Sequence, residues 1–254
     1  VRDPRPGDSI NALPAICKLA EKYERVNLIM ANREIQALAD FPPNVKDGMT
    51  DEPRGHRIAP VYLLGISEAI GFKIGKDMPH PTTAMIRWCG FECDEVVQPK
   101  IKTLSATDDD IPSYEVVFCP WSSDSQRGMR LQQALLTIQG LHGRSIVMFG
   151  RREDKFEDDL FDEFNDVDCW PIASPLFIVA VMRKAKVVVT MDSFAGRLAH
   201  AAGVRNHLLL LTEAMPYQWA SHPDATIVPV KLNEAFDPEF VARAIEEGLQ
   251  LTPA

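Results

Sequence analysis

Long apolar runs are missing from this 254-residue chain: no stretch approaches the roughly 18 to 20 uninterrupted apolar residues of a membrane-spanning helix. A charged-then-apolar leader with a small-residue cleavage site is not found either, so a cytoplasmic location is expected. Basic runs are scarce, with nothing longer than the pairs Arg151-Arg152 and Arg183-Lys184, and the formal net charge is −9. Nothing draws such a chain to a phosphate backbone, and nucleic acid is not an expected partner. Cysteine is sparse: Cys17, Cys89, Cys93, Cys119 and Cys169 are odd in number and scattered, which speaks for reduced, buried thiols and against a disulfide framework. Cys89 and Cys93 stand four apart without a neighbouring His, short of the set of about four ligands that zinc requires. The triplets 108–110 and 166–168 each place two Asp one residue apart, a spacing that can hold a divalent cation, but the first falls in a linker and the second in a helix-to-strand loop. The six His form no spaced cluster, and His200 reads as a helix residue near a domain junction. No metal site is expected. Gly-x-x-x-x-Gly-Lys-Ser/Thr, Gly-x-Gly-x-x-Gly, His-Glu-x-x-His and Gly-x-Ser-x-Gly are all absent, which removes the simplest cases for P-loop, dinucleotide, zinc-protease and serine-hydrolase chemistry.

What is present is a globular composition, 46% hydrophobic and 25% charged, over a length that suits two Rossmann-like halves better than one core. Val1 reads as the remnant of a trimmed first strand running into a Pro-Gly loop. Apolar residues Ile10, Leu13, Ile16, Cys17 and Ala20 then recur at helical spacing, with Asp8 or Ser9 placed to cap that helix. A strand at 26–30, helical turns at 34–39, a loop at 42–57 and helices at 61–70 and 82–89 complete a first domain, 1–104. Residues 105–113, polar and acidic with a Pro, suit an interdomain linker. A second domain, 114–235, alternates strands (115–119, 145–149, 187–190, 208–211) with helices (129–140, 155–164, 176–183, 195–202), the pattern of a parallel sheet covered on both faces. A last helix, 236–254, opens with Asp237 as cap and Pro238 at its first position, and is expected to pack back on the first domain.

Three segments carry chemistry. The buried strand Val187-Val188-Val189-Thr190-Met191 ends in Asp192-Ser193, which caps the helix beginning at Phe194, so backbone amides and the helix dipole point over the carboxyl edge of the sheet and favour an anion. After another buried strand, Cys119-Pro120-Trp121-Ser122-Ser123-Asp124-Ser125-Gln126-Arg127 sets hydroxyls beside a cation. Near the start, Pro6-Gly7-Asp8-Ser9 places a carboxylate ahead of a helix. Each segment read alone also suits a plain capped helix or a solvated loop.

Together, and in this order, these segments resemble the family 9 glycosyltransferases, the ADP-heptose transferases of GT-B architecture. The stretch from Asp192 to Gly203 is similar to that family's Asp-Ser/Thr-Gly-x-x-His-Leu-Ala-Ala-Ala-Leu-Gly, matching at Asp192, Ser193, Leu198, Ala199, Ala201 and Gly203. Phe194 replaces its Gly and Arg197 its His. Arg keeps a donor for phosphate, whereas the Phe194 side chain narrows the approach of a diphosphate. Residues 119–127 resemble the family's hydroxyl-then-basic loop, and Gly7-Asp8 with Leu13-Pro14-Ala15-Ile16 its Gly-Asp-x-x-x-x-Leu-Pro-Ala-Leu. Pro216 and Trp219 are similar to its post-strand Pro and Trp.

The resemblance implies an α/β protein of GT-B type, two Rossmann-like parallel-sheet domains facing a cleft. It implies an inverting, metal-independent, heptosyltransferase-like enzyme that passes a sugar from a nucleotide diphosphate, ADP- or UDP-linked, to a hydroxyl, with no cofactor. Asp8 would be the general base, with Gly7 and Ser9 on the acceptor side. Ser122, Ser123, Arg127, Glu153, Ala173, Asp192, Ser193, Phe194 and Arg197 would bind the donor, Ala173 lying where the family meets the base. The expected partners are a nucleotide-sugar donor and a saccharide or glycolipid acceptor, the latter allowing peripheral membrane contact. The alternative, motivated by Phe194 and by Thr212-Glu213 in place of a family Gly-Pro, is a non-catalytic GT-B-like protein that binds a nucleotide or a partner.

Overall fold

The computed structural model describes residues 6–30, 32–48, 79–104, 110–122, 126–150, 167–170, 173–213 and 220–251. The chain divides into two compact units, Val1–Lys102 and Thr103–Ala254. Among the described residues no helix is long and apolar enough to cross a membrane.

In the first unit, helix α1 (Pro6–Lys22) buries Ile10, Leu13, Ile16 and Ala20 along one stripe. It starts one turn earlier than the sequence reading, so Gly7, Asp8 and Ser9 lie inside its first turn instead of capping it. Pro6 explains the early start, because a Pro at the head of a helix gives up only an amide that the helix cannot use. At the other end, the Asn44 side-chain amide donates to the Ala20 and Tyr23 carbonyls at 2.7 and 2.8 Å, satisfying groups that the helix leaves over. Strand β1 (Val26–Leu28) pairs in parallel with β2 (Val45–Asp47), and β2 falls within the span read as a loop. Between them, α2 (Arg33–Leu38) is capped by Asn32, whose side chain accepts from the Ile35 amide at 3.1 Å. Helix α3 (Pro81–Trp88) packs on α1, with the His80 ring accepting from the Thr82 amide. The segments 61–70 and 155–164, read as helical, lie outside the described residues.

The second unit is built on six strands, β3 (Val116–Cys119), β4 (Ile146–Phe149), β5 (Val167–Trp170), β6 (Val187–Met191), β7 (His207–Thr212) and β8 (Thr226–Val230). They form one parallel sheet in the order β5-β4-β3-β6-β7-β8. Numbered within the unit this is 3-2-1-4-5-6, the order of doubly wound nucleotide-binding sheets, with its topological switch between β3 and β6. The sequence accounts for the centre directly: Val116, Val117, Phe118, Val187, Val188 and Val189 show no exposed surface, as strands covered on both faces require. Burying each such side chain contributes about 1.5–3 kcal/mol, so the middle of the sheet is its most stable part. Strands β5 and β8 are additions to the sequence reading. Both are edges, where one neighbour suffices, and they carry Asp168 and Pro229, residues that disguise a strand.

Helices α4 (Leu131–Gln139), α5 (Pro175–Lys184), α6 (Phe194–Ala202) and α7 (Pro238–Leu251) complete the unit. As read from the sequence, Asp237 caps α7, accepting from the Phe240 amide at 3.0 Å. Val241, Ala242 and Ile245 of α7 are buried in the core that also holds Val187, Leu208 and Val228. A fork from Arg144 to Glu246, 2.9 and 2.6 Å, ties the helix to the β4 side. Toward the amino ends of the strands, Asp168 on the edge strand β5 accepts from the Tyr114 hydroxyl at 2.5 Å, and burial together with that carboxylate pushes the phenol upward. Asp168 therefore lies in a strand with a partner of its own, not in a loop.

Candidate functional site

Switch points gather ligands because the loops leaving the two central strands turn to opposite faces and open a crevice at the carboxyl edge. Here those loops hold two of the three segments singled out in the sequence. After β3 the chain runs through Pro120, Trp121 and Ser122 and returns through Arg127, Gly128 and Met129 to α4. The loop is anchored by the buried Trp121 and Met129 and closed by a bond from the Met129 amide to the Pro120 carbonyl at 2.8 Å. Ser122 is 6% exposed. A Cβ on Gly128 would reach within 2.7 Å of the Ser122 nitrogen, so this loop needs glycine to close.

After β6 the chain passes Asp192 and Ser193 into α6. Ser193 is an extended cap residue, φ −148° and ψ −167°, whose hydroxyl accepts from the Ala195 amide at 3.3 Å. The helix's own carbonyls supply no acceptors for the amides of its first turn, and its dipole adds to their pull on an anion. Gly203 ends α6 in the left-handed region at φ +69°, which a β-carbon would strain.

The two loops meet through one pair of charges. Asp192, 1% exposed, divides its oxygens: Oδ1 accepts from the Ser221 amide at 2.9 Å, and Oδ2 faces Arg127 Nη1 at 3.6 Å, with no hydrogen bond of its own among the described residues. The Arg127 side chain keeps 22% exposure, and the buried Asp192 carboxylate holds its charge at the loop. A guanidinium held in place by a buried counter-charge is chemically able to meet an anion.

Of the residues singled out in the sequence, the structure brings together Ser122, Arg127, Asp192 and Ser193 at the switch point. Phe194 and Arg197 stand half-buried on the first turn of α6, and the Arg197 amide bonds the Ser193 carbonyl at 3.3 Å. Ala173, half-buried, precedes the Ser174 cap of α5 on the β5 side of the edge. Beside it Trp170 and Phe177 stack with centroids 4.8 Å apart and planes at 12°, an aromatic pair that the sequence reading passed over because β5 was not seen as a strand. Ser123, Glu153, Pro216 and Trp219 lie outside the described residues. In the first unit, Gly7 and Ser9 are buried in the first turn of α1, and Gly7 has helical backbone, so an unusual backbone angle is not its reason. Asp8 lies in the same turn, with its carboxylate outside the described atoms.

A second group escaped the sequence reading. His200, His207 and His222, spread over α6, β7 and the segment before β8, come together as a buried stack of rings, with centroids 5.0 Å apart for His200 and His222 and 4.8 Å for His207 and His222. Sequence spacing gave no sign of it, because three separate elements supply the rings. Among the described residues no group of three or more His, Cys, Asp or Glu side chains is arranged to hold a metal ion.

A six-stranded, doubly wound parallel sheet, with a capped helix and an arginine held by a buried carboxylate at its switch point, is the Rossmann-like sheet of a GT-B-type α/β fold. No family profile and no curated protein matches the chain. Solved structures do. The E. coli ADP-heptose LPS heptosyltransferase II superposes at a TM-score of 0.53 with 14% identity, over 68% of this chain and 62% of its own. The iron-containing dodecameric glycosyltransferase TibC of enterotoxigenic E. coli superposes at 0.62 with 12% identity, over 97% and 74%. E. coli heptosyltransferase WaaC with ADP follows at 0.50 with 15% identity, over 70% and 59%. The chain thus spans about three fifths of the length of heptosyltransferase II and of WaaC. Its fold is similar to that of these glycosyltransferases, the architecture that the sequence motifs imply.

Proposed function

We propose that the chain is an inverting, metal-independent glycosyltransferase that moves a heptose or similar sugar from a nucleotide diphosphate donor to the hydroxyl of a saccharide or glycolipid. The observation that carries this reading is the meeting of Arg127 with the Ser193-capped start of α6 at the switch point. As the bond between the anomeric carbon and the diphosphate oxygen breaks, negative charge grows on that oxygen, and fixed donors aimed there lower the barrier without reorganising. Arg127, Arg197, Ser122, Ser123 and the first amides of α6 hold the departing diphosphate, so the arginines supply the positive charge that a metal supplies elsewhere. Asp192 acts by aiming Arg127, since its own charge would repel a phosphate. Ala173, with Trp170 and Phe177 beside it, takes the base, and Glu153 the sugar or ribose. Asp8 accepts the proton of the acceptor hydroxyl as that oxygen attacks the anomeric carbon, a single displacement that inverts configuration. Gly7 and Ser9 border the acceptor, and exclusion of bulk water from the reacting atoms keeps the donor from hydrolysis.

Donor breadth is open to direct test. Heptosyltransferase WaaC was solved with ADP and TibC with ADP-D-β-D-heptose, which makes ADP-linked donors the first to try and UDP-linked ones the second. Binding of a nucleotide diphosphate should raise the melting temperature, and transfer should persist in EDTA. Asp8→Ala should abolish transfer while donor binding remains. Transfer near the wild-type rate in that variant overturns the role of Asp8.

Phe194, at the first helical position of α6, favours a second reading: a GT-B-like protein that binds a nucleotide or a partner without turnover. A nucleotide-dependent rise in melting temperature with neither transfer nor donor hydrolysis, across ADP- and UDP-sugars, would establish it.

A further inference from the structure

The buried histidines contact the donor-side site through one residue. His222 is followed back along the chain by Ser221, whose amide holds Asp192 Oδ1 at 2.9 Å, and Asp192 in turn faces Arg127. The segment is wedged against α6: a Cβ on Gly196 would overlap the Ser221 hydroxyl and stand 3.1 Å from the Ser221 Cβ. What holds the segment on the sheet side is a contact between His222 Nδ1 and His207 Nδ1 at 2.6 Å, and His207 Nε2 lies 2.9 Å from Thr190 Oγ1 on β6.

Two ring nitrogens at that distance demand one proton between them. If His222 Nδ1 donates, His207 Nδ1 accepts and His207 Nε2–H donates to Thr190. If His207 Nδ1 donates, its Nε2 accepts from the Thr190 hydroxyl. Both arrays close with neutral rings and leave no polar atom of His207 unmatched. One added proton leaves a cation in a site where His207 is 1% and His222 4% exposed, and a second sets two N–H groups against each other. The short nitrogen-to-nitrogen contact also leaves no room for an ion between the rings.

We propose that His207 and His222 are positioning residues of the donor-side site: while neutral, their hydrogen bond clamps residues 220–222 so that the Ser221 amide fixes Asp192 opposite Arg127, and acid releases the clamp. The proposal rests on the donor-site reading of Arg127 and Asp192 for its functional consequence, but not for the clamp itself. The groups facing the pair are Thr190 from β6, His200 from α6, and Asp224 from the same segment. Only Asp224 favours the charged form, and it is outweighed. Burial, then the neighbouring rings, hold His207 well below the usual histidine range, burial first of all brings His222 down to about 4, and burial lowers His200.

Hydrogen exchange of the whole chain, read as protection factors for the Ser221 amide from about pH 7.5 down to about pH 4, tests the clamp, and ADP and UDP titrations at the same pH values test its consequence. Protection at Ser221 should fall about tenfold or more between pH 6.5 and pH 4 while β3 and β6 stay protected, with nucleotide affinity falling alongside. At the upper pH, His207→Asn keeps an amide atom where Nδ1 stood and should hold both readouts within about twofold, whereas His207→Gln keeps one only where Nε2 stood and should lose about tenfold in each. Unchanged Ser221 protection across the pH series overturns the clamp even if neither variant folds, and so does equal behaviour of the two variants. If the wild type binds neither ADP nor UDP at the upper pH, the donor reading fails, and the exchange series decides the clamp alone.

Discussion

Gly128 and Ser122 touch across the base of the β3–α4 loop, so closely that a Cβ on Gly128 would stand 2.7 Å from the Ser122 nitrogen. The obstructing atom is backbone, which cannot rotate aside as a side chain would. Gly128→Ala should therefore push Ser122 outward at an overpacking cost of about 1–3 kcal/mol. Because Ser122 and Arg127 flank the same turn, affinity for ADP or UDP should fall about tenfold or more, well beyond what a lower melting temperature explains. Calorimetric titration well below the melting temperature checks this. Wild-type affinity in a destabilised variant would separate the loop from binding.

The Arg127 and Asp192 pair makes a second prediction with an internal control. Removing the cation leaves a buried carboxylate with one oxygen uncompensated, so Arg127→Met should cost about 3 kcal/mol or more of stability. Asp192→Asn keeps an acceptor for the Ser221 amide and should cost less. The double variant should be more stable than the sum of the two losses implies, with a coupling of about 1–3 kcal/mol in a denaturant cycle. Both single variants should weaken nucleotide diphosphate binding, Arg127→Met by loss of the cation and Asp192→Asn by loss of its aim.

How far such a pair was legible in advance depends on where its information resides. The capped strand-to-helix turn at Asp192-Ser193 and the hydroxyl-then-basic loop were visible because each is local: an apolar strand, a cap, a cation, all within a dozen residues. Their meeting at one crevice follows from strand order, which alternation implies only in outline. The edges β5 and β8 were hidden because an edge tolerates Asp168 and Pro229, and with β5 went the stacked Trp170 and Phe177. The three histidines illustrate the opposite limit. His200, His207 and His222 come from three different elements, so no spacing rule finds them. The start of α1 was misjudged for a local reason: Pro6 reads as a loop residue, although the head of a helix is where proline fits best.

The histidines also set the sign of the acid response. An unfolded histidine titrates near 6.5, whereas His222 is brought down to about 4 in the fold and burial holds His207 well below the usual histidine range. Between those values the unfolded chain binds the extra protons, so their stabilising contribution is full above about pH 6.5 and is lost as pH falls toward 4. Glu115 works in the same direction further down. Its carboxyl is held below the usual range by the Lys186 hydrogen bond first and the Ser145 amide as well, so its contribution is present above about pH 4.5 and lost as pH falls through its lowered value. Melting temperature should thus decline through two overlapping windows. His222→Asn should flatten the upper one and leave the lower, a distinction that scanning calorimetry at half-unit steps of pH resolves.

The fork between Arg144 and Glu246 sets how α7 is retained. Both Arg144 bonds to Glu246 are short, 2.9 and 2.6 Å, and a third carboxylate oxygen, from Glu115, lies 3.5 Å from the same guanidinium. Bidentate geometry and a shared network lift this pair above an ordinary surface bridge, yet the guanidinium keeps 37% exposure and is screened by salt. The apolar face of α7, with Val241, Ala242 and Ile245 in the core, supplies far more of its anchorage than any ion pair. Arg144→Met should therefore lower stability by only about 0.5–1.5 kcal/mol, with a loss that shrinks in high salt. Ile245→Ala, which empties a fully buried site between the helix and the sheet, should cost about 2–5 kcal/mol at any salt concentration. Urea unfolding of the two variants in about 0.05 M and about 1 M sodium chloride separates the cases, because the Debye length shrinks to about 3 Å at the higher concentration. An Arg144→Met loss that equals that of Ile245→Ala and ignores salt would mean that the fork, and not the apolar face, fixes the helix.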